Sequence, residues 1–167
     1  ADGQRILLVG DLDDRYRLYE LRPGSAPRPL TPATFDVTSE PAVTPAGVMF
    51  AANSSGPYER QVLRLAPDGS GTPARVTSRP GTHVPFVSPD GQTIAYVSDR
   101  FDSDDVFVTD FARTYNTRVL ASSVDESNPA WMPDGTALVF ASDTRGDGAL
   151  SLLMAPVDGS GVVTVIY

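Results

Sequence analysis

The chain has 167 residues, 41% of them hydrophobic and 20% charged, and its 14 glycines and 15 prolines break it into many short segments. A formal charge of −8 repels phosphate backbones and anionic lipid heads, so nucleic acid is not an expected partner. With no cysteine there can be no disulfide or thiolate chemistry, and with no run of 18 apolar residues and no basic-then-apolar leader, membrane insertion is not expected.

An internal period organises the rest. Gly3, Gly47, Gly91 and Gly135 stand 44 residues apart, and the same step relates Pro41, Pro85 and Pro129, then Val43, Val87 and Trp131, then Ile6, Phe50, Ile94 and Leu138, and finally Asp99 and Asp143. The predicted units are approximately 1–40, 41–84, 85–128 and 129–167.

The first unit starts at a turn, Asp2-Gly3, with no strand before it, and carries an acidic loop at Asp11, Asp13 and Asp14. The second opens at Pro41, has Thr44, Pro45 and Ala46 where later units have a Pro-Asp turn, and continues through V-L-R-L-A-P-D-G-S-G at 62–71. The third is the clearest: V-P-F-V, the turn S-P-D-G, Q-T-I-A-Y-V-S-D, a polar loop, D-V-F-V-T, a second loop and T-R-V-L. That pattern predicts four short strands. Pro89 and Asp90 suit the leading positions of a tight turn, and Gly91 supplies its positive φ. Ile94 and Tyr96 alternate with Ala95 and Val97, so both strand faces are apolar, as in a sheet stacked between two others. The fourth unit repeats the pattern and ends on a strand-like segment, Val162 to Tyr167.

Prolines opening the first strand of each unit predict an edge strand, because proline cannot donate to a ladder. A propeller provides such an edge around its axis, and a period of 40 to 45 residues with four strands matches one blade. The expected fold is therefore all-β: a single β-propeller domain over 1–167, built from four 44-residue, four-stranded blades, the first lacking its inner strand. Uncovered blade faces would leave apolar patches. Pairing of two chains into an eight-blade ring is the favoured solution, ahead of a closed four-blade ring or a piece of a longer propeller.

N-P-A-W-M-P-D-G-T-A-L-V-F-A-S-D at 128–143, followed by L-L-M-A-P-V-D-G-S-G at 152–161, resembles the TolB-type, WD40-like propeller repeat. The resemblance implies a periplasmic or secreted setting and a protein or peptide partner.

The loops just before the first strands supply the candidate site. Thr38, Ser39 and Glu40 correspond to Thr82, His83 and Val84 and to Glu126, Ser127 and Asn128. The framework repeats while these residues differ, as expected where a scaffold displays a composite binding surface at the channel mouth. Asp99, Asp102, Asp104 and Asp105 form the densest acidic cluster, a candidate calcium loop, but without the glycine and closing glutamate of an EF-hand. A solvated loop is the simpler reading, and no cofactor is expected. Asp90, Asp134, Asp99 and Asp143 read as turn caps. The only histidine, His83, has no G-x-S-x-G serine to serve, so no catalytic constellation is expected. Three alternatives to a non-enzymatic binding scaffold are weighed: the propeller part of a prolyl-oligopeptidase-like hydrolase, a propeller lyase or glycosidase using channel carboxylates and a metal, with Glu40 and Glu126 as the carboxylate pair for glycosidic chemistry, and an engineered or excised blade set.

Overall fold

A computed structural model describes residues 4–111, 115–144, 146–158, 160 and 163–167. Among them there is no helix, and fifteen short strands form four successive antiparallel meanders. The first sheet has three strands, β1 (Ile6–Gly10), β2 (Arg17–Leu21) and β3 (Arg28–Pro29). The second has four, β4 (Ala42–Thr44), β5 (Gly47–Ala52), β6 (Gln61–Leu65) and β7 (Ala74–Arg75). The third comprises β8 (Pro85–Val87), β9 (Thr93–Ser98), β10 (Asp105–Asp110) and β11 (Asn116–Arg118). The fourth comprises β12 (Glu126–Trp131), β13 (Ala137–Ser142), β14 (Ser151–Pro156) and β15 (Thr164–Val165). The chain divides into two compact units, Ala1–Ser78 with the first two sheets and Arg79–Tyr167 with the last two.

Alternation along the strands gives each sheet two apolar faces, and each unit uses them in the same way. In the first unit the forward face of sheet one, with Leu7, Val9 and Leu18, packs with the rear face of sheet two, with Val48, Phe50, Ala52, Leu63 and Leu65. In the second unit the forward face of sheet three, with Ala95, Val97, Val106 and Val108, packs with the rear face of sheet four, with Leu138, Phe140, Leu153 and Ala155. Burying each large side chain here contributes roughly 1.5–3 kcal/mol, which compensates for the absence of any disulfide.

The tight turns at Gly91 and Gly135 form as expected. Their φ values are 69° and 72°, and their amides donate to Ser88 O at 2.8 Å and Met132 O at 2.9 Å. Asp90 and Asp134 accept the amides of Gln92 and Thr136, each at 3.0 Å, which is the turn-capping role. Gly3 lies outside the described residues, and Gly47 is not equivalent to Gly91. Val43 pairs with Val48 across four residues, whereas its equivalent Val87 pairs with Ile94 across six, so this connection is two residues shorter. The following loop, 53–60, is two residues longer than 99–104, so the offsets cancel and the 44-residue step survives. Gly47 instead starts β5 at φ 144°, where a Cβ would meet Leu65 O at 2.1 Å.

The prolines also differ in detail. Pro85 opens β8, but Pro129 lies inside β12, at a register shift between Ser127 and Ala130. A bulge tolerates the missing N–H that a regular ladder would not.

Candidate functional site

In the first unit, residues 36–40 form a strap across the end of the hairpin β1–β2 and the strand β5. Val37 N donates to Tyr16 O at 2.7 Å, Thr38 N to Ala51 O at 2.8 Å, and Ala51 N to Ser39 Oγ at 2.8 Å. Ser39 is thus a clasp, while Thr38 and Glu40 face solvent. They border an open hollow of about 570 Å³, also lined by Val9, Tyr16 and Asp36. Burial works to raise the Asp36 carboxyl, but hydrogen bonds from Tyr16 N, Arg15 and Asn53 overcome it and hold Asp36 below its usual range.

In the second unit the corresponding residues are mostly interior. Thr82 is half-buried and His83 only 1% exposed. The Arg79 carbonyl accepts from His83 Nε2 at 3.1 Å, so the proton sits on Nε2, and the ring meets Tyr96 edge-on at 5.1 Å. Burial lowers its pKa, so His83 is neutral and built into the wall.

Glu126 is fully buried. Its carboxylate accepts Ser122 Oγ at 2.7 Å and Val106 N at 3.1 Å. Burial raises its pKa, with the Asp105 charge adding, against the pull of Ser122, Val106 N and Arg118. Of the third loop, Ser127 is half-buried and Asn128 is exposed with φ 52°, on the β12 bulge.

The exposed members of the expected site are therefore Thr38 and Glu40 in one unit and Asn128 in the other. His83 and Glu126 shape the frame from inside.

The acidic loop is dispersed. Asp99, Asp102 and Asp104 are exposed, while Asp105 is buried and accepts from Arg118. Asp104 N donates to Asp125 Oδ1 at 2.9 Å. Burial, then the charges of Asp125, Asp99 and Asp105, raise the Asp104 carboxyl. Among the described residues no three His, Asp or Glu side chains form a group that could hold a metal ion. Asp143 has the capping role expected of it, accepting the amides of Asp147 at 3.1 Å and Gly148 at 2.9 Å.

One recurrent device escapes the sequence reading. Leu18, Val62 and Val106 are equivalent positions, each with a carbonyl that accepts an amide of the next segment: Leu30 at 2.8 Å, Val76 at 2.8 Å and Val119 at 2.9 Å. The amide of each is capped by a side chain, Thr31 Oγ1 at 3.1 Å, Thr77 Oγ1 at 2.9 Å and Glu126 Oε2 at 3.1 Å. The threonines follow Leu30 and Val76. Leu120 follows Val119, and Glu126 reaches in to replace the missing hydroxyl. The available signal was that loss of threonine after the third outer segment.

No family model matches the chain. An uncharacterized protein of Agrobacterium fabrum is 26% identical over 164 residues, which cover 96% of this chain and 54% of that protein. Among solved structures, TolB from Acinetobacter baumannii superposes with a TM-score of 0.71 at 18% identity, over 98% of this chain and 41% of that one. A puromycin-hydrolyzing peptidase of Mycobacterium tuberculosis gives 0.77 at 19% identity, over 98% of this chain and 29% of the peptidase. The chain thus has a TolB-like β-propeller fold, and it spans about half the length of the curated relative it matches.

Proposed function

We propose that the chain is a non-enzymatic propeller scaffold that binds a protein or peptide segment through the loops preceding β4, β8 and β12, in a periplasmic or secreted setting, with its ring completed by a second chain. The observation that carries this reading is the contrast between a repeated frame and unrepeated exposed residues. Equivalent segments present Thr38 and Glu40 in the loop before β4 and Asn128 on the bulge of β12, over clasps made by Ser39, His83 and Glu126. The likeness to TolB supports a protein partner. A second reading, that this is the propeller portion of a peptidase whose catalytic part lies in another segment, is favoured by the higher TM-score to the puromycin-hydrolyzing peptidase.

The experiment is affinity capture from an envelope extract with the wild-type chain and with Glu40→Ala combined with Asn128→Ala. A specific protein retained by the wild type and lost at least about tenfold by the variant supports the reading. Equal retention by both removes the proposed surface.

A further inference from the structure

All the residues that line the hollow beside the strap belong to the first unit. Hydrogen bonds fix its wall before anything binds: Val37 N to Tyr16 O, Thr38 N to Ala51 O, and Ala51 N to Ser39 Oγ. Three kinds of group meet there. Val9 and Val37 are apolar, the Tyr16 side chain is 56% exposed, and the side chains of Thr38 and Glu40 face solvent with no hydrogen bond or ion pair among the described residues.

The charge around the hollow is negative. Residues 11–16, which connect β1 to β2, and the strap 36–40 together hold five carboxylates and one arginine. That arginine, Arg15, is engaged by Asp36 at 2.9 Å, and Arg17 of β2 is engaged by Asp13. Asp11, Asp14 and Glu40 are left without an ion pair among the described residues, and of these Glu40 lines the hollow itself.

This combination discriminates between occupants. An anion is repelled, and a purely apolar group that covered Glu40 would strip water from a carboxylate and return nothing. A cation on an aliphatic stem suits all three kinds of group: the stem lies against the valines, the charge meets the carboxylate, and the head stacks on the tyrosine ring. A hollow of about 570 Å³ has room for such a side chain and part of the backbone that carries it.

We propose that the hollow takes an arginine or lysine side chain presented by a peptide segment, its charged head at Glu40 and Tyr16 and its stem against Val9 and Val37; this rests on the segment-binding function proposed above and names the chemistry of the segment.

An NMR titration of the full chain tests it with three probes: the capped peptide acetyl-Gly-Arg-Gly-amide, its neutral analogue with citrulline in place of arginine, and free propylguanidinium. The arginine peptide should shift the amides of Tyr16, Thr38 and Glu40 saturably and bind at least about fivefold more tightly than the citrulline peptide. Glu40→Gln and Tyr16→Ala should each weaken it about threefold, both with the wild-type melting profile, since Tyr16 serves the strap through its backbone. Asp102→Asn, which removes an exposed carboxylate from the second unit, should leave the affinity unchanged. Equal binding of the arginine and citrulline peptides at the hollow overturns the basic chemistry and leaves the segment-binding function standing. Propylguanidinium binding as tightly as the peptide overturns the peptide as occupant, and an affinity indifferent to Glu40→Gln overturns the placement of the charge. No saturable shift at the hollow from any probe overturns the proposal outright, and the affinity capture then decides the wider function by itself.

Discussion

The two units build the same frame but settle their interior polar groups in opposite ways. In the first, both strand amides are capped by neutral hydroxyls, Thr31 and Thr77, and the one buried glutamate, Glu20, is ringed by Arg5, Arg22 and Arg28 at 2.7, 3.1 and 2.8 Å. In the second, the amide cap is itself the buried carboxylate Glu126, which shares its surroundings with Asp105 and Arg118. Hydrogen bonds from Arg22 and then Arg28 hold Glu20 below its usual range, while burial pushes Glu126 above it. A repeat can thus conserve a hydrogen bond while exchanging the group that makes it, and the exchange leaves one interior carboxylate held as an ion by arginines and the other opposed in its ionisation by burial.

Core truncation gives the largest effect. Phe50→Ala and Phe140→Ala each remove a fully buried ring from one core and should cost about 3–5 kcal/mol in urea unfolding. Hydrogen exchange should quicken mainly in the unit that carries the substitution. Equal quickening in both units would show that they unfold as one body and weaken the comparison.

Thr77→Val is next. It strips the cap from Val62 N and a donor from Gln61 Oε1, both buried, and should cost about 1–3 kcal/mol with little change between pH 5 and 8. A cost that varied strongly across that range would mean that a titrating group shares the cap.

Much of the frame was legible in the sequence, for a physical reason: turns and strand alternation are local. Pro89-Asp90-Gly91 announces its turn because only that order combines a fixed φ, an amide acceptor and a left-handed residue. Glu126 was not legible. Counting in steps of 44 aligns it with Thr38 and Thr82 and assigns it to a surface loop, whereas its carboxylate is drawn inward by an amide twenty residues earlier. Only strand pairing reveals that amide's need. The same limit applies to Gly47, whose periodic place results from two cancelling offsets, and to Asp105, whose partner Arg118 comes from a different strand.

Glu20→Gln should cost roughly 1–2 kcal/mol at pH 7, since Arg22 and Arg28 are half-exposed and water screens part of the loss. Because the folded pKa is lowered, the charged group's contribution is present above the usual glutamate range and fades as pH falls through the folded value. The difference between wild type and variant should therefore close on acidification. A constant difference down to pH 3 would mean that packing, and not charge, sets the cost.

Glu126→Gln is the smallest change and the sharpest test of the contrast, because the amide oxygen still caps Val106 N and only the charge is removed. The folded pKa of Glu126 is raised, so its favourable contribution exists below the usual glutamate range and is lost as pH rises through the folded value. The groups that face it are Asp105, which opposes its ionisation, and Arg118 and Ser122, which favour it. At pH 8 the variant should be more stable than the wild type by up to about 1 kcal/mol, and the gain should shrink or reverse by pH 4. Paired urea titrations at the two pH values measure the difference directly. A variant less stable at pH 8 would show that Arg118 outweighs burial, so that the second unit, like the first, stabilises its interior carboxylate as an ion.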